Sequence, residues 1–254
     1  MDILRKELNA IYKSQNLTYE TLATEDVEIC SEKIAVCCDI DGNCRVITDA
    51  SCDTCWILGG RFGDLLGISS AMTKVNSSDE DEIYNNIHPE DLVDKRMLEY
   101  EFFKFVDALP TESKTKYKAT CRIRIKNKHG KYVTASNCTQ ILRLSPAGKI
   151  WLILCCYDFV DDGNSNRGID PRIINNSTGE CFKPDFAEKR SHILTTREKE
   201  VLTLIKAGNP SKLISEILGI SIHTVNRHRQ NILEKLSVGN SLEAIMAATA
   251  MKLM

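Results

Sequence analysis

The feature that most constrains this chain is its C-terminal end, where residues 194–253 carry short helical patterns separated by helix-stopping residues. Thr195 is followed three residues later by Glu198, a spacing that predicts a capping box and the start of a helix. A second short helix is predicted to end at Gly219, and Ser221 is predicted to cap a third. Two helices joined by so tight a turn indicate a helix-turn-helix arrangement.

Apolar residues in this region repeat at helical spacing and predict the inward faces of three helices. Gly208 is predicted to stop the first helix and Ser211 to cap the second. The residues predicted to face the core are Val201, Leu202, Ile205, Leu213, Ile214, Ile217, Leu218, Ile222, Val225, Ile232, Leu233 and Leu236.

The third helix also carries a polar stripe without an acid. Its members stand at i, i+3, i+4, i+7 and i+11 and are Thr224, Arg227, His228, Asn231 and Lys235. These side chains suit phosphates and base edges. A polar helix face is usually only solvated, but the tight turn before this helix favours contact with DNA.

A fourth helix is predicted from Ser241 to about Lys252. One row along it carries Leu242, Ile245, Met246 and Thr249. With three small alanines alongside, this helix is predicted to pack on its own domain and to pair with a second copy of the chain.

The C-terminal region resembles the LuxR-type (GerE-like) DNA-binding domain, through residues 194–202, 220–228 and 231–236. The resemblance implies that the third helix enters the major groove of double-stranded DNA and that the fourth supports a homodimer. The residues implied to meet DNA are Thr224, Val225, Arg227, His228, Asn231 and Lys235, with Lys212 and Ser221 near phosphates. The residues implied in dimerisation are Leu242, Ile245, Met246 and Thr249.

The N-terminal two-thirds predicts a mixed α+β domain with an antiparallel sheet. An amphipathic helix is predicted in residues 1–32, with Leu4, Leu8, Ile11 and Tyr12 on one side. Residues 34–40 are predicted to form a buried strand that turns at 41–43 and returns over 44–48. Short helical pieces are predicted to follow, and then three long strands over 117–127, 132–144 and 149–159.

This order of elements resembles a PAS domain over residues 33–160, through the motifs at 65–68, 87–91 and 122–130. The resemblance implies a sensory or dimerising module with an unknown ligand. The predicted organisation is an N-terminal helical segment (1–32), a PAS-like domain (33–160), a linker (161–190) and a helix-turn-helix domain (191–254). A small hairpin is predicted within the linker, over residues 173–182.

Charge is distributed unevenly along the chain. Residues 191–254 hold eight Lys or Arg against five acids, a net +3, and the whole chain carries −2, which leaves −5 for the first 190 residues. A basic end on an acidic body favours a polyanionic partner at the C-terminus. The N-terminus lacks the pattern of a secretory signal, so a cytoplasmic protein without a membrane span is expected.

The sequence does not indicate an enzyme, since it has no Gly-rich phosphate loop, nucleophile elbow or HExxH motif. No cofactor, metal site or catalytic residue is predicted. The eleven cysteines fit reduced thiols. Cys52 and Cys55 form a CxxC pair, but structural zinc needs four ligands, and chance spacing is favoured over a redox pair.

The leading hypothesis is a homodimeric transcription factor whose PAS-like domain senses a signal, with RNA polymerase left open as a further partner. One alternative is a regulator that binds an acyl-homoserine lactone. Another is a protein-interaction adaptor with only non-specific affinity for DNA. The sequence does not indicate the signal, the DNA site, or activation as against repression.

Overall fold

The computed structural model describes residues 3–17, 24–77, 80–160, 169–186, 193–236, 238–251 and 253–254. Within these residues, eight strands form one sheet in the order β3-β2-β1-β6-β5-β4-β7-β8, and each neighbouring pair is antiparallel. The strands are β1 (Cys44–Asp49), β2 (Thr54–Leu58), β3 (Thr73–Val75), β4 (Tyr117–Lys126), β5 (Tyr132–Leu144), β6 (Ile150–Phe159), β7 (Arg172–Asn175) and β8 (Cys181–Phe182).

Helices cover both faces of this sheet and make up the C-terminal region. Those before residue 110 are α1 (Ile3–Ser14), α2 (Thr24–Asp41), α3 (Gly60–Leu66), α4 (Asp81–Tyr84) and α5 (Pro89–Asp107). A 3₁₀ helix over Thr111–Lys116 leads into β4. The C-terminal helices are α6 (Thr196–Lys206), α7 (Ser211–Leu218), α8 (Ile222–Leu236) and α9 (Ser241–Ala250).

The inner face of the sheet, which carries Val46, Ile57, Ile123 and Ile153, packs against α5 and forms the main core. Side chains alternate between the two faces of a strand, so every second residue of β4 is buried. The three long strands predicted from the sequence are confirmed as β4, β5 and β6. Helix α1 lies on α5 and buries Leu8, which confirms the predicted N-terminal helix.

The predicted strand over residues 34–40 is wrong, because these residues belong to α2. Val27, Ile34 and Cys38 are buried at helical spacing, whereas Val36 and Ile40 are exposed. A short apolar run does not distinguish a strand from a helix. The helix ends at Asp41, and the next residue, Gly42, has a φ of +77°, a conformation that glycine adopts readily.

Helix α2 covers the outer face of the sheet, where it packs on Ile47, Leu58 and Leu154. The turn predicted at residues 41–43 therefore joins a helix to β1 instead of joining two strands. Because one face packs on α5 and the other on α2, the sheet is sandwiched between two helical layers.

The predicted linker over 161–190 contains ordered structure that extends the sheet. Strand β7 pairs with β4 and with β8, which confirms the small hairpin predicted over residues 173–182. Ile173 of this hairpin is buried in the main core. The boundaries proposed for the domains remain predictions, and the sheet continues beyond residue 160.

A network of charged and polar side chains is buried between α5 and the inner face of the sheet. The Lys95 Nζ donates to Glu99 Oε1 at 2.5 Å and to the Tyr84 hydroxyl at 2.6 Å. The Tyr157 hydroxyl donates to Glu80 Oε2 at 2.5 Å. Burial raises the pKa of Glu80, a shift that Lys95 opposes. For Lys95, burial alone would lower the pKa, but Glu99 and Glu80 outweigh it and raise the pKa.

His88 and the two cysteines of the CxxC pair have structural surroundings of their own. His88 caps α5, where its Nδ1 accepts from the Glu90 N–H at 3.3 Å. Cys55 is fully buried. Cys52 is exposed overall, and partial burial of its thiol raises the pKa of that thiol. In the described part of the chain, no three His, Cys, Asp or Glu side chains are grouped to hold a metal ion. No helix there is long and apolar enough to cross a membrane.

Candidate nucleic-acid interface

Local capping interactions position the helices of the C-terminal region. At the start of α6, the Thr195 hydroxyl accepts from the Glu198 N–H, and Glu198 Oε2 accepts from the Thr195 N–H at 2.8 Å. This confirms the predicted capping box. Between α7 and α8, Gly219 has a φ of +63° and Ser221 Oγ accepts from the Thr224 N–H at 3.0 Å. The turn between the two helices is therefore as short as the sequence predicts.

The cap predicted at Ser211 is wrong, since the cap position of α7 is Pro210 and Ser211 is the first residue of the helix. The Ser211 hydroxyl instead accepts from Arg229 Nη1 at 3.3 Å. Arg229 also donates through Nη2 to the Ser241 hydroxyl at 3.0 Å. This guanidinium ties the starts of α7 and α9 to the middle of α8.

Val225, Ile232 and Leu236 of α8 are buried against α6 and α7, as predicted. Three other residues predicted to face the core are exposed, and these are Leu213, Ile217 and Ile222. Helix α7 has only eight residues, and Ile214 is its one buried side chain among the described residues. Ile214 and the half-buried Leu218 pack on the core and secure α7, whereas Leu213 and Ile217 face outward.

The exposed face of α8 carries a polar stripe at i, i+3, i+4 and i+7. Its members are His223, Asn226, Arg227 and Gln230. This stripe shares Arg227 with the stripe predicted from the sequence, but it lies directly opposite the buried residues. Of the other predicted members, Thr224, His228 and Asn231 are half-buried at its flank. Asn226 and Gln230 could have been found from the sequence by taking the side opposite Val225 and Ile232.

Two residues implied to meet DNA have other surroundings in this structure. Val225 is fully buried, so its side chain is not available to a base edge. Lys235 Nζ donates to Glu198 Oε2 at 2.6 Å, and its side chain is 17% exposed against 3% for Glu198. Lys235 therefore ties the end of α8 to the start of α6. The two positions implied near phosphates, Lys212 and Ser221, are both exposed.

Helix α9 has a buried face of small residues and an exposed apolar edge. Ala244, Ala247 and Ala248 are buried, and the helix contacts α5, α6 and α8. In the row implied in dimerisation, Leu242 and Met246 are exposed, Ile245 is half-buried and Thr249 is exposed. Leu242 is 68% exposed, a high fraction for a leucine.

The comparisons with known proteins concern mainly this C-terminal region. The GerE family model, described as bacterial regulatory proteins of the luxR family, matches residues 192–248. The transcriptional regulatory protein DegU of Brevibacillus brevis is 39% identical over 79 residues, 30% of this chain and 34% of DegU. The chain thus spans about a third of DegU.

One relative is covered over most of its length. The uncharacterized response regulatory protein YgeK of Escherichia coli (strain K12) is 39% identical over 103 residues, 38% of this chain and 69% of YgeK. A solved complex of phage VqmA with DPO aligns with 88% of this chain and 89% of its own, at 16% identity and a TM-score of 0.30. That score is too low to establish a shared fold. On the family match and the coverage of YgeK, the chain belongs to the luxR family of bacterial regulatory proteins.

Proposed function

We propose that this protein is a homodimeric, sequence-specific DNA-binding regulator in which α8 enters the major groove. The observation that carries the proposal is the exposed stripe of α8, which directly follows a tight helix-turn-helix turn. A major groove admits one α-helix, and a single helix reads only a few base pairs. Two copies would therefore read a two-fold-symmetric site.

The side chains of this stripe suit base edges in the groove. Arg227 would pair with O6 and N7 of guanine, and Asn226 or Gln230 with N6 and N7 of adenine. At the flank, Thr224, His228 and Asn231 would extend the contact. Lys212 and Ser221 would position the domain through phosphates. The proposed set omits Val225, because its side chain is buried, and Lys235, because its ammonium pairs with Glu198.

The N-terminal domain would supply the regulation. Its antiparallel sheet between helices is the arrangement expected of a PAS-like module, and α5 contacts α9 of the DNA-binding region. A change in the position of α5 would therefore reach α9 directly. We propose that this domain senses a signal and sets the relative geometry of two DNA-binding regions.

Selection of sheared genomic DNA tests the DNA-binding proposal. At about 150 mM salt, where purely electrostatic binding is weak, the wild type is expected to enrich a short two-fold-symmetric sequence. Arg227→Ala is expected to lose about 1–3 kcal/mol of discrimination at one base position in each half-site, because one bidentate contact is removed. Titration of matched and single-base-mutated duplexes measures this loss.

Lys33→Ala serves as a charge-matched control, because Lys33 is exposed on α2, outside the C-terminal region. It removes the same charge without altering the stripe. If Arg227→Ala weakened all duplexes equally and no more than Lys33→Ala, Arg227 would not read a base. If the wild type enriched no sequence, the adaptor hypothesis with non-specific affinity would be favoured.

The dimer is tested at the exposed edge of α9. Leu242→Glu is expected to shift the protein toward the monomer, because it places a charge in an apolar contact between two copies. Sedimentation velocity over a concentration series measures the shift. Glu216→Gln on α7 is the control, because Glu216 is exposed. Glu243→Gln on α9 is unsuitable, since Glu243 Oε2 accepts a hydrogen bond from the Gly239 N–H. An unchanged dimer in Leu242→Glu would place the interface elsewhere.

A further inference from the structure

We propose that the outer face of the sheet carries a binding site for a small organic cation with an apolar or aromatic body. The site is a cavity of about 550 Å³ between the first half of α2 and the strands β1, β2, β3 and β6. Small-molecule sites commonly enclose about 300–1,000 Å³. A cavity on the inner face, beside Glu80 and Glu99, measures about 20 Å³, which is room for about one water molecule. Binding on the outer face does not depend on the proposed contact with DNA.

Two indole rings line this cavity. Trp151 is buried and held in place by its Nε1, which donates to Asp49 Oδ1 at 3.1 Å. Trp56 is half-buried, and the Lys74 ammonium lies 5.6 Å from its ring centre. The face of an indole ring attracts cations through its quadrupole, more strongly than other aromatic rings. An ammonium group from the chain itself therefore already occupies a position over Trp56 that a ligand ammonium could take.

Carboxylates outnumber cations around the cavity. Glu28 and Glu32 stand one turn apart on the exposed side of α2, and Asp49 is buried at the end of β1. Among the described residues that line the cavity, Lys74 is the one cationic side chain. A concave site with an excess of one charge concentrates ligands of the opposite charge. The cavity is therefore expected to favour cations over neutral or anionic molecules of the same shape.

The remaining walls of the cavity are apolar and favour a cation with an apolar body. Val27 and Ala35 of α2 face the cavity, and Met72 lines it while remaining exposed. Burial of hydrocarbon against such walls stabilises a ligand that brings apolar surface of its own. In the part of the chain that the structure describes, these carboxylates do not belong to any group of three side chains that could hold a metal ion. An inorganic cation is therefore a poor match.

Tryptophan fluorescence of the full chain tests the proposal, because the chain has two tryptophans and both line this cavity. The probe is 2-phenylethylamine, compared with neutral 2-phenylethanol and anionic phenylacetate, which share its aromatic body. The amine is expected to change the emission saturably. The alcohol is expected to bind about five-fold or more weakly, and the anion more weakly still, since only the charge differs.

Two variants test the contribution of charge to binding, one by removing carboxylates and one by removing a cation, and a third is the control. The double variant Glu28→Gln/Glu32→Gln is expected to raise the amine Kd by about five-fold, because it removes two rim carboxylates. Lys74→Gln is expected to lower that Kd, since it removes a competing cation from Trp56. Asp39→Asn, on an exposed position of α2 outside the cavity, is the control and is expected to leave the Kd unchanged.

Circular dichroism of each variant checks that the fold is intact, and the altered side chains are not in the main core. The proposal is overturned if the amine causes no saturable change in tryptophan emission up to about 10 mM. That concentration would nearly saturate a site with a Kd of about 1 mM. It is also overturned if phenylacetate binds as tightly as the amine, or if Asp39→Asn weakens binding as much as the double variant. The DNA selection above is independent of all these outcomes.

Discussion

Lys95→Ala is expected to lower the free energy of unfolding by about 3–5 kcal/mol, because removing one member of a buried ion pair leaves its partner uncompensated. Lys95 is fully buried and its ammonium contacts Glu99 and Tyr84. Without it, Glu99 would remain buried with its charge unpaired, and Glu80 would lose the cation that opposes its raised pKa. Urea unfolding followed by circular dichroism measures the change.

Lys104→Ala is the matched control, since Lys104 lies on the exposed side of the same helix. It is expected to change stability by no more than about 0.5 kcal/mol. The double variant Lys95→Met/Glu99→Leu is expected to lose less than Lys95→Ala, because apolar replacement of both partners leaves neither charge of that pair behind. A loss below about 1 kcal/mol in Lys95→Ala would show that Lys95 is not held as a paired cation in the folded protein.

Lys235→Ala is expected to lower the free energy of unfolding by about 2–3 kcal/mol, between the values for exposed and fully buried pairs. Its partner Glu198 is almost fully buried and also closes the capping box with Thr195. The DNA affinity of this variant, measured over a range of salt concentrations, is expected to keep the wild-type slope. A side chain that already binds Glu198 would release no counterion from DNA.

Lys212→Ala gives the opposite pattern if Lys212 contacts phosphate. Its salt slope is expected to fall by about 1 while stability is unchanged, because the side chain is exposed. If Lys235→Ala also lowered the slope by about 1 and left stability intact, Lys235 would contact phosphate, as the resemblance to LuxR-type domains implies. The two lysines therefore test which part of the predicted interface binds the DNA backbone.

The C-terminal region could be predicted well from the sequence because its signals are local. The capping box at Thr195, the left-handed Gly219 and the cap at Ser221 each depend on residues within four positions of one another. Side-chain exposure was less predictable. Leu213 and Ile217 lie on α7, where the apolar residues occupy a broader face of the helix than the neighbouring helices cover.

The N-terminal domain is less predictable from the sequence because its structure depends on distant contacts. The apolar run over 34–40 fits either a strand or a helix, and packing on Ile47 and Leu58 across the outer face determines which of the two forms. The pairing of β7 with β4 joins segments more than fifty residues apart. No local pattern in the predicted linker indicates that pairing.

Charged residues within α5 were the least predictable part of the fold. Lys95 and Glu99 stand at i and i+4, a spacing that on most helices indicates an exposed pair. Only the inner face of the sheet, with Glu80 and Tyr157 opposite, encloses them. Likewise, the ion pair of Lys235 with Glu198 joins residues 37 positions apart and is not visible in the polar stripe of α8.

The contact of α9 with α5 has a consequence for how the molecule melts. One continuous group of buried side chains includes Leu8 and Phe103 of the N-terminal domain together with Leu236 and Ala248 of the C-terminal region. Parts that share buried apolar surface tend to unfold cooperatively, because exposing one part uncovers the other. The two regions are thus thermodynamically coupled, and scanning calorimetry would record them as a single heat-absorption peak.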